Sequence, residues 1–162
     1  ADLAHLLKNF ARNKVASAFL HAAEQPKSFG IARIVFTYLD YLLLDETAKK
    51  NFKFRFRNSV EHFYPQNPDK AQSGASVSDE NLHRLGNLAL VSVSANSHFS
   101  NSLPKAKAEN FKLEMETQSP KLQRMAEITR SEGWGDAQVQ SHHKAMVDLL
   151  KADIQEWTCV GV

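Results

Sequence analysis

The apolar period of this chain changes twice along its length, and few folds accommodate such a change. Residues 2–24 place Leu3, Leu6, Leu7, Phe10, Val15, Phe19 and Leu20 mostly at helical spacing, and Pro26 and Ser28 end the pattern. A second stripe, Ile31, Ile34, Val35, Tyr38, Leu39, Leu42 and Leu43, repeats at i, i+3, i+4 and i+7. Then "NFKFRFRNSVEHF" alternates Phe52, Phe54 and Phe56 with Lys53, Arg55 and Arg57, the period of a strand. Residues 66–80 are polar and rich in Ser, Asp, Pro and Gly, which predicts an exposed loop. "NLALVSVS", residues 87–94, predicts a second strand.

Helical periodicity then returns. Pro104 is placed to open a helix at its first turn. A weaker stripe follows over 119–131 around Leu122, Met125 and Ile128. A final amphipathic helix spans 137–157 through Val139, Met146, Leu149, Leu150, Ile154 and Trp157. The predicted fold is mainly α with one small strand–loop–strand–helix insert, hence α+β in class. Residues 1–50 are helical, the insert covers about 58–107, and helices fill 108–162. At 162 residues one domain with one sizeable core is expected.

Composition narrows the function classes. A net charge of +2 means that any surface for a polyanion must come from local clustering. The single cysteine, Cys159, excludes an internal disulfide and a cysteine-based zinc cage, which favours a reducing, cytoplasmic compartment. No apolar run is long enough to span a bilayer, so no membrane role is expected. The chain opens at Ala1 in an already helix-like pattern, as a piece of a longer protein would.

The insert holds the chemistry-bearing residues. "SVEHFYPQNP", 59–68, sets Glu61 beside His62 ahead of Pro65. Asn87 stands in "LGNLAL", and Asn96 follows nine residues later. Hydrolysing a phosphodiester needs a base to activate water and a cation to neutralise charge on the phosphate. A β-hairpin followed by a helix can deliver both, with the base histidine beside an acidic ligand and a second ligand on the helix. Adjacent strand residues point to opposite faces, so Glu61 and His62 need not compete for one position.

An acid-His-x-x-Pro run, a central Asn-Leu and an Asn nine residues on resemble the HNH, or His-Me finger, nuclease pattern, whose insert is a ββα-metal motif. "EHFYPQNP", "LHRLGNLALVS" and "ANSHFSNSLPKAK" narrow the resemblance to the C-terminal nuclease domain of GmrSD-type restriction endonucleases, over residues 59–107. That resemblance implies a prokaryotic phage-defence protein that cuts DNA, modified DNA included, and carries a ParB-like nucleotide-hydrolysing domain elsewhere. None of the six glycines forms a phosphate-binding loop, so nucleotide hydrolysis would belong to that other domain.

Carried over by position, His62 is the general base, with Asn87 beside it in the catalytic motif and expected to fix the loop by bonding backbone. Glu61 and Asn96 are the ligands of one ion, with Ser100 added from one helical turn further on; the alternative for Glu61 is an ion pair with a lysine or arginine. Oxygen donors favour Mg²⁺ or Mn²⁺. Lys53, Arg55 and Arg57 on one side, Lys105 and Lys107 on the other, and His83 with Arg84 are the candidates for DNA contact. His98 reads as a surface residue, and the pair His142-His143 as a helix feature without metal spacing. Two alternatives stay open: a non-catalytic binding module that retains the fold, and a nuclease directed at RNA.

Overall fold

The computed structural model describes residues 3–25, 33–53 and 57–159. Pro26, Ser28, Ile31, Phe54, Arg55 and Phe56 lie outside them. The chain runs α1 (Leu3–Glu24), α2 (Arg33–Leu42), α3 (Glu46–Lys50), β1 (Ser59–His62), α4 (Asp79–Leu82), a 3-10 turn (Leu85–Asn87) and β2 (Leu88–Val91). Then follow α5 (Val93–Phe99), α6 (Pro104–Asn110), α7 (Lys112–Gln118), α8 (Pro120–Glu132) and α9 (Asp136–Cys159). The class is mainly α with a small sheet, as the changes of period predict. Pro104 and Pro120 each sit in the first turn of a helix, where a missing N–H costs nothing.

β1 and β2 pair antiparallel, with Glu61 opposite Ala89 and His62 opposite Leu88. The period-2 run upstream does not extend the strand: residues 52, 53, 57 and 58 are irregular, and Phe52 instead packs edge-on against Tyr41, centroids 5.5 Å apart. A lone two-stranded sheet is marginal in water. Here β2 is buried on both faces. Leu88 and Leu90 enter a core with Val35, Phe36 and Leu39 of α2 and Leu150 of α9. Ala89 and Val91 enter a second core with Phe63, Phe99, Met125 and Trp134. The strand is therefore the wall between the two cores, which explains its unbroken apolar run.

Two buried lysines fasten this wall to the helices. Lys121 of α8 donates from Nζ to the carbonyls of Leu85 at 2.8 Å and Leu88 at 2.5 Å. Burial pushes its ammonium down to about 7, opposed by the charge of Asp40. Asp40 reaches from α2 to the start of α8, accepting from Ser119 Oγ at 2.7 Å and Lys121 N at 3.0 Å. Burial raises its carboxyl to about 6 against those bonds. The second lysine, Lys107 of α6, belongs to the candidate site.

The turn before β2 is pressed onto α9. A Cβ added at Gly86 would stand 2.1 Å from the carbonyl oxygen of Val139 and 2.8 Å from the backbone nitrogen of His143. Both obstacles include helix backbone, which cannot swing aside. Gly86→Ala should therefore destabilise the fold by roughly 1–3 kcal/mol or more, the range for overpacking. Urea denaturation checks this, with wild-type stability the contrary result.

Candidate active site

The geometry begins with Asn87, the last residue of the 3-10 turn and fully buried. Its Oδ1 accepts from Tyr64 N at 2.9 Å and from Trp134 Nε1 at 3.2 Å. Its Nδ2 donates to Tyr64 O at 3.1 Å and Leu82 O at 2.9 Å. The amide thus uses both of its donors and both of its lone pairs. It ties the end of β1 to the end of α4, the backbone-bonding role expected of it from the sequence.

Clamped this way, β1 presents its last two residues to a polar cleft of about 260 Å³. Glu61, His62, Gln66, Asn96, Ser100 and Asn101 line it, together with Val60, Pro65 and Asn67. The helix α5 supplies Asn96 and ends at Ser100. Ser92 caps α5 by accepting from Ala95 N at 3.2 Å. Ser100 has φ 45° and ψ −135°, a conformation that L side chains rarely adopt, so the chain is strained where it turns at the cleft. The rim is held by Asp69 N donating to Asn101 O at 3.0 Å and Leu103 N donating to Gln72 Oε1 at 2.7 Å.

Glu61 is buried, and its Oε1 lies 2.5 Å from Lys107 Nζ. The same ammonium donates to the carbonyls of His62 and Phe63, each at 2.9 Å. Burial pushes the Glu61 carboxyl up from the usual carboxylate range, against the pull of Lys107. Burial likewise pushes Lys107 down, against Glu61. Lys107 is 0% exposed, which removes it from the DNA-contacting set: its three hydrogen bonds all go to β1 and the residue that follows it.

His62 is also buried. Its Nε2 lies 2.9 Å from Nδ1 of His83, the rings edge to face at 84°, and its Nδ1 lies 3.2 Å from Gln66 Nε2. Burial, then the nearby His83 and Lys107 charges, hold His62 down at about 4. The ring is therefore neutral at any pH near 7, the form that accepts a proton. His83 is half-buried at the C-terminal end of α4.

The remaining residues named for DNA contact do not gather at this cleft. Lys53 and Arg57 line a smaller one of about 80 Å³ with Asp40 and Glu116, and Arg57 donates to the carbonyl of Thr117 at 2.8 Å. Arg84 pairs with Glu80 at 3.1 Å. Lys105 is exposed and borders an apolar cavity of about 240 Å³ floored by Trp134, Leu103 and Ala108. His98 contacts Glu114 at 2.7 Å on the surface. His142 and His143 are both buried in α9, each with one ring nitrogen lacking a hydrogen-bond partner.

The donors that Glu61, Asn96 and Ser100 bring to this cleft suit a hard dication: a carboxylate, an amide oxygen and a hydroxyl. Among the described residues no group of three or more His, Cys, Asp or Glu is placed to hold a metal.

The family model of the GmrSD restriction endonucleases, C-terminal domain, matches residues 10–149. The chain belongs to that family. No match was found among curated proteins or solved structures. Membership in the GmrSD C-terminal family makes the chain a member of a restriction-endonuclease family, and the match takes in every residue of the cleft. Among the described residues, no helix is long and apolar enough to cross a membrane.

In this GmrSD C-terminal domain, Asn87→Ala should strand four buried polar groups, on Tyr64, Leu82 and Trp134. The cost should be roughly 3–5 kcal/mol, since each unsatisfied group costs about 1–3 kcal/mol in isolation. The check is chemical denaturation, and a change below about 1 kcal/mol would contradict the clasp.

Proposed function

We propose that this domain is a metal-dependent, HNH-type DNA endonuclease that hydrolyses phosphodiester bonds with His62 as general base. One observation carries the reading: a neutral, buried imidazole and three oxygen donors, Glu61, Asn96 and Ser100, line one polar cleft. Fixed neutral by its surroundings, His62 takes a proton from water as the oxygen attacks phosphorus. Glu61, Asn96 and Ser100 would hold one Mg²⁺ or Mn²⁺, which when bound supplies charge stabilisation on the phosphate and leaving oxygen. Lys107 keeps the Glu61 carboxylate and the β1 carbonyls in place, so the acid and the base keep one geometry. Lys53, Arg57, Arg84 and Lys105 supply DNA contacts at a distance from the chemistry, and Arg55, outside the described residues, is a further candidate for such contact.

The family match supports a wider setting for this reading: a cytoplasmic, prokaryotic phage-defence protein that acts on DNA, modified DNA included. There this single domain works beside a ParB-like nucleotide-hydrolysing domain. Glu61 gives part of its charge to Lys107, so affinity for the ion in the absence of DNA should be weak.

His62→Ala should slow plasmid nicking by roughly 10²–10⁴-fold, the usual contribution of a general base, with DNA affinity nearly unchanged. The sign of the pH dependence follows from the lowered pKa. The neutral base persists well below an ordinary imidazole's midpoint, so the acid limb of the rate profile should lie near pH 4 instead of near 6.5. A stable His62→Ala variant that binds DNA and nicks at the wild-type rate would remove His62 from the mechanism.

A further inference from the structure

We infer that His83 is a positioning residue for His62: it accepts the Nε2–H of that ring and so fixes the tautomer whose Nδ1 lone pair faces the cleft. The inference rests on the reading of His62 as the base. Three observations lead to it. First, the His62 Nδ1 contact is with the amide nitrogen of Gln66, at 3.2 Å. An amide nitrogen only donates, so Nδ1 must accept and the ring proton sits on Nε2. Second, that Nε2 lies 2.9 Å from His83 Nδ1, which then serves as the acceptor. Third, Gln66 is an exposed residue of the cleft lining, so its N–H stands where a donor from the cleft meets the ring. An attacking water would donate from the same side.

The proton accounting is simple. The exposed Gln66 amide yields its place at Nδ1 to the water. As the water oxygen bonds to phosphorus, its proton moves to His62 Nδ1, the P–O bond to the leaving sugar oxygen breaks, and that oxygen takes a proton from solvent. The ring becomes an imidazolium whose Nε2–H is still shared with His83 Nδ1, and no transfer to His83 is needed. A positioned acceptor behind a base is the arrangement by which active-site histidines are commonly oriented, with a carboxylate or carbonyl in place of the imidazole used here. The position of His83 is itself fixed. Asn87 Nδ2 holds the carbonyl of Leu82, the preceding residue. At the other end of α4, Asp136 Oδ1 accepts from Ser78 N at 2.9 Å and Ser78 Oγ at 3.1 Å. Of the two readings that the sequence allows for His83, DNA contact and local hydrogen bonding, the contact to His62 is of the second kind.

The test compares His83→Ala, His83→Asn and His62→Ala in nicking of supercoiled plasmid with Mn²⁺, together with thermal melts. Long-range ¹H–¹⁵N spectra report the His62 tautomer. His83→Ala should lower kcat by roughly 10–100-fold, the usual cost of losing such an orienting partner, at unchanged KM. Its His62 should lose the pure Nε2–H signature. His83→Asn, whose side-chain oxygen takes the δ position, should recover most of the rate and the tautomer. If His83→Ala raises KM at unchanged kcat, His83 is a DNA contact and the inference fails. It also fails if wild-type His62 carries its proton on Nδ1, a readout that survives even where the alanine variant unfolds. If His62→Ala cuts at the wild-type rate, the base reading itself falls. If only His83→Ala does so, the base reading stands and this inference alone is overturned.

Discussion

Four hydrogen bonds to one buried amide hold this site together. Asn87 bonds Tyr64 twice, two residues after His62, and Leu82 once, one residue before His83. Both imidazoles thus hang from one clasp, and the Trp134 indole closes it from the connection between α8 and α9. The clasp needs its own support, because the turn that carries Asn87 can lie against α9 only with glycine at position 86. Local sequence, "LGN", therefore sets a tertiary contact on which the histidine pair depends.

The charges inside the domain follow a second rule. A buried ammonium is tolerated when several oxygens surround it. Lys107 gathers Glu61 and the carbonyls of His62 and Phe63, while Lys121 gathers those of Leu85 and Leu88. One lysine thus binds the β1 end and the other the β2 end of a sheet too small to stand alone. The cleft gains from this. Glu61 is held rigidly at its wall and cannot fold away, and the positive charge behind β1 favours an anion in front of it.

Much of this was legible in the chain. The changes of period placed the helices and the hairpin, and "EHFYP" with the Asn87–Asn96 interval pointed to residues that share one cleft, Asn87 excepted. The backbone-bonding role of Asn87 was legible too, whereas the partner of His83 was not, because an imidazole carries no mark of whether it will meet substrate or protein. Lys107 was misjudged as a surface cation. The signal lay in its spacing, since Leu103, Pro104, Lys107, Ala108 and Phe111 form one stripe of α6, and a lysine inside an apolar stripe must bring its own acceptors. His142 and His143 sit in a similar stripe with Val139, Met146 and Val147 of α9, which their adjacency concealed. Residues 57 and 58 do not extend β1 because they have no partner: β2 reaches only to Val91, opposite Ser59.

The central claim is that phosphodiester chemistry occurs in the cleft between β1 and α5. Paramagnetic broadening by Mn²⁺, recorded by NMR with a non-hydrolysable phosphorothioate duplex present, tests it most directly. The account predicts the strongest broadening at Gln66, Asn96, Ser100 and Asn101. Broadening centred on Asp40 and Thr117, in the cleft that holds Lys53 and Arg57, would contradict it, as would uniform broadening over the surface.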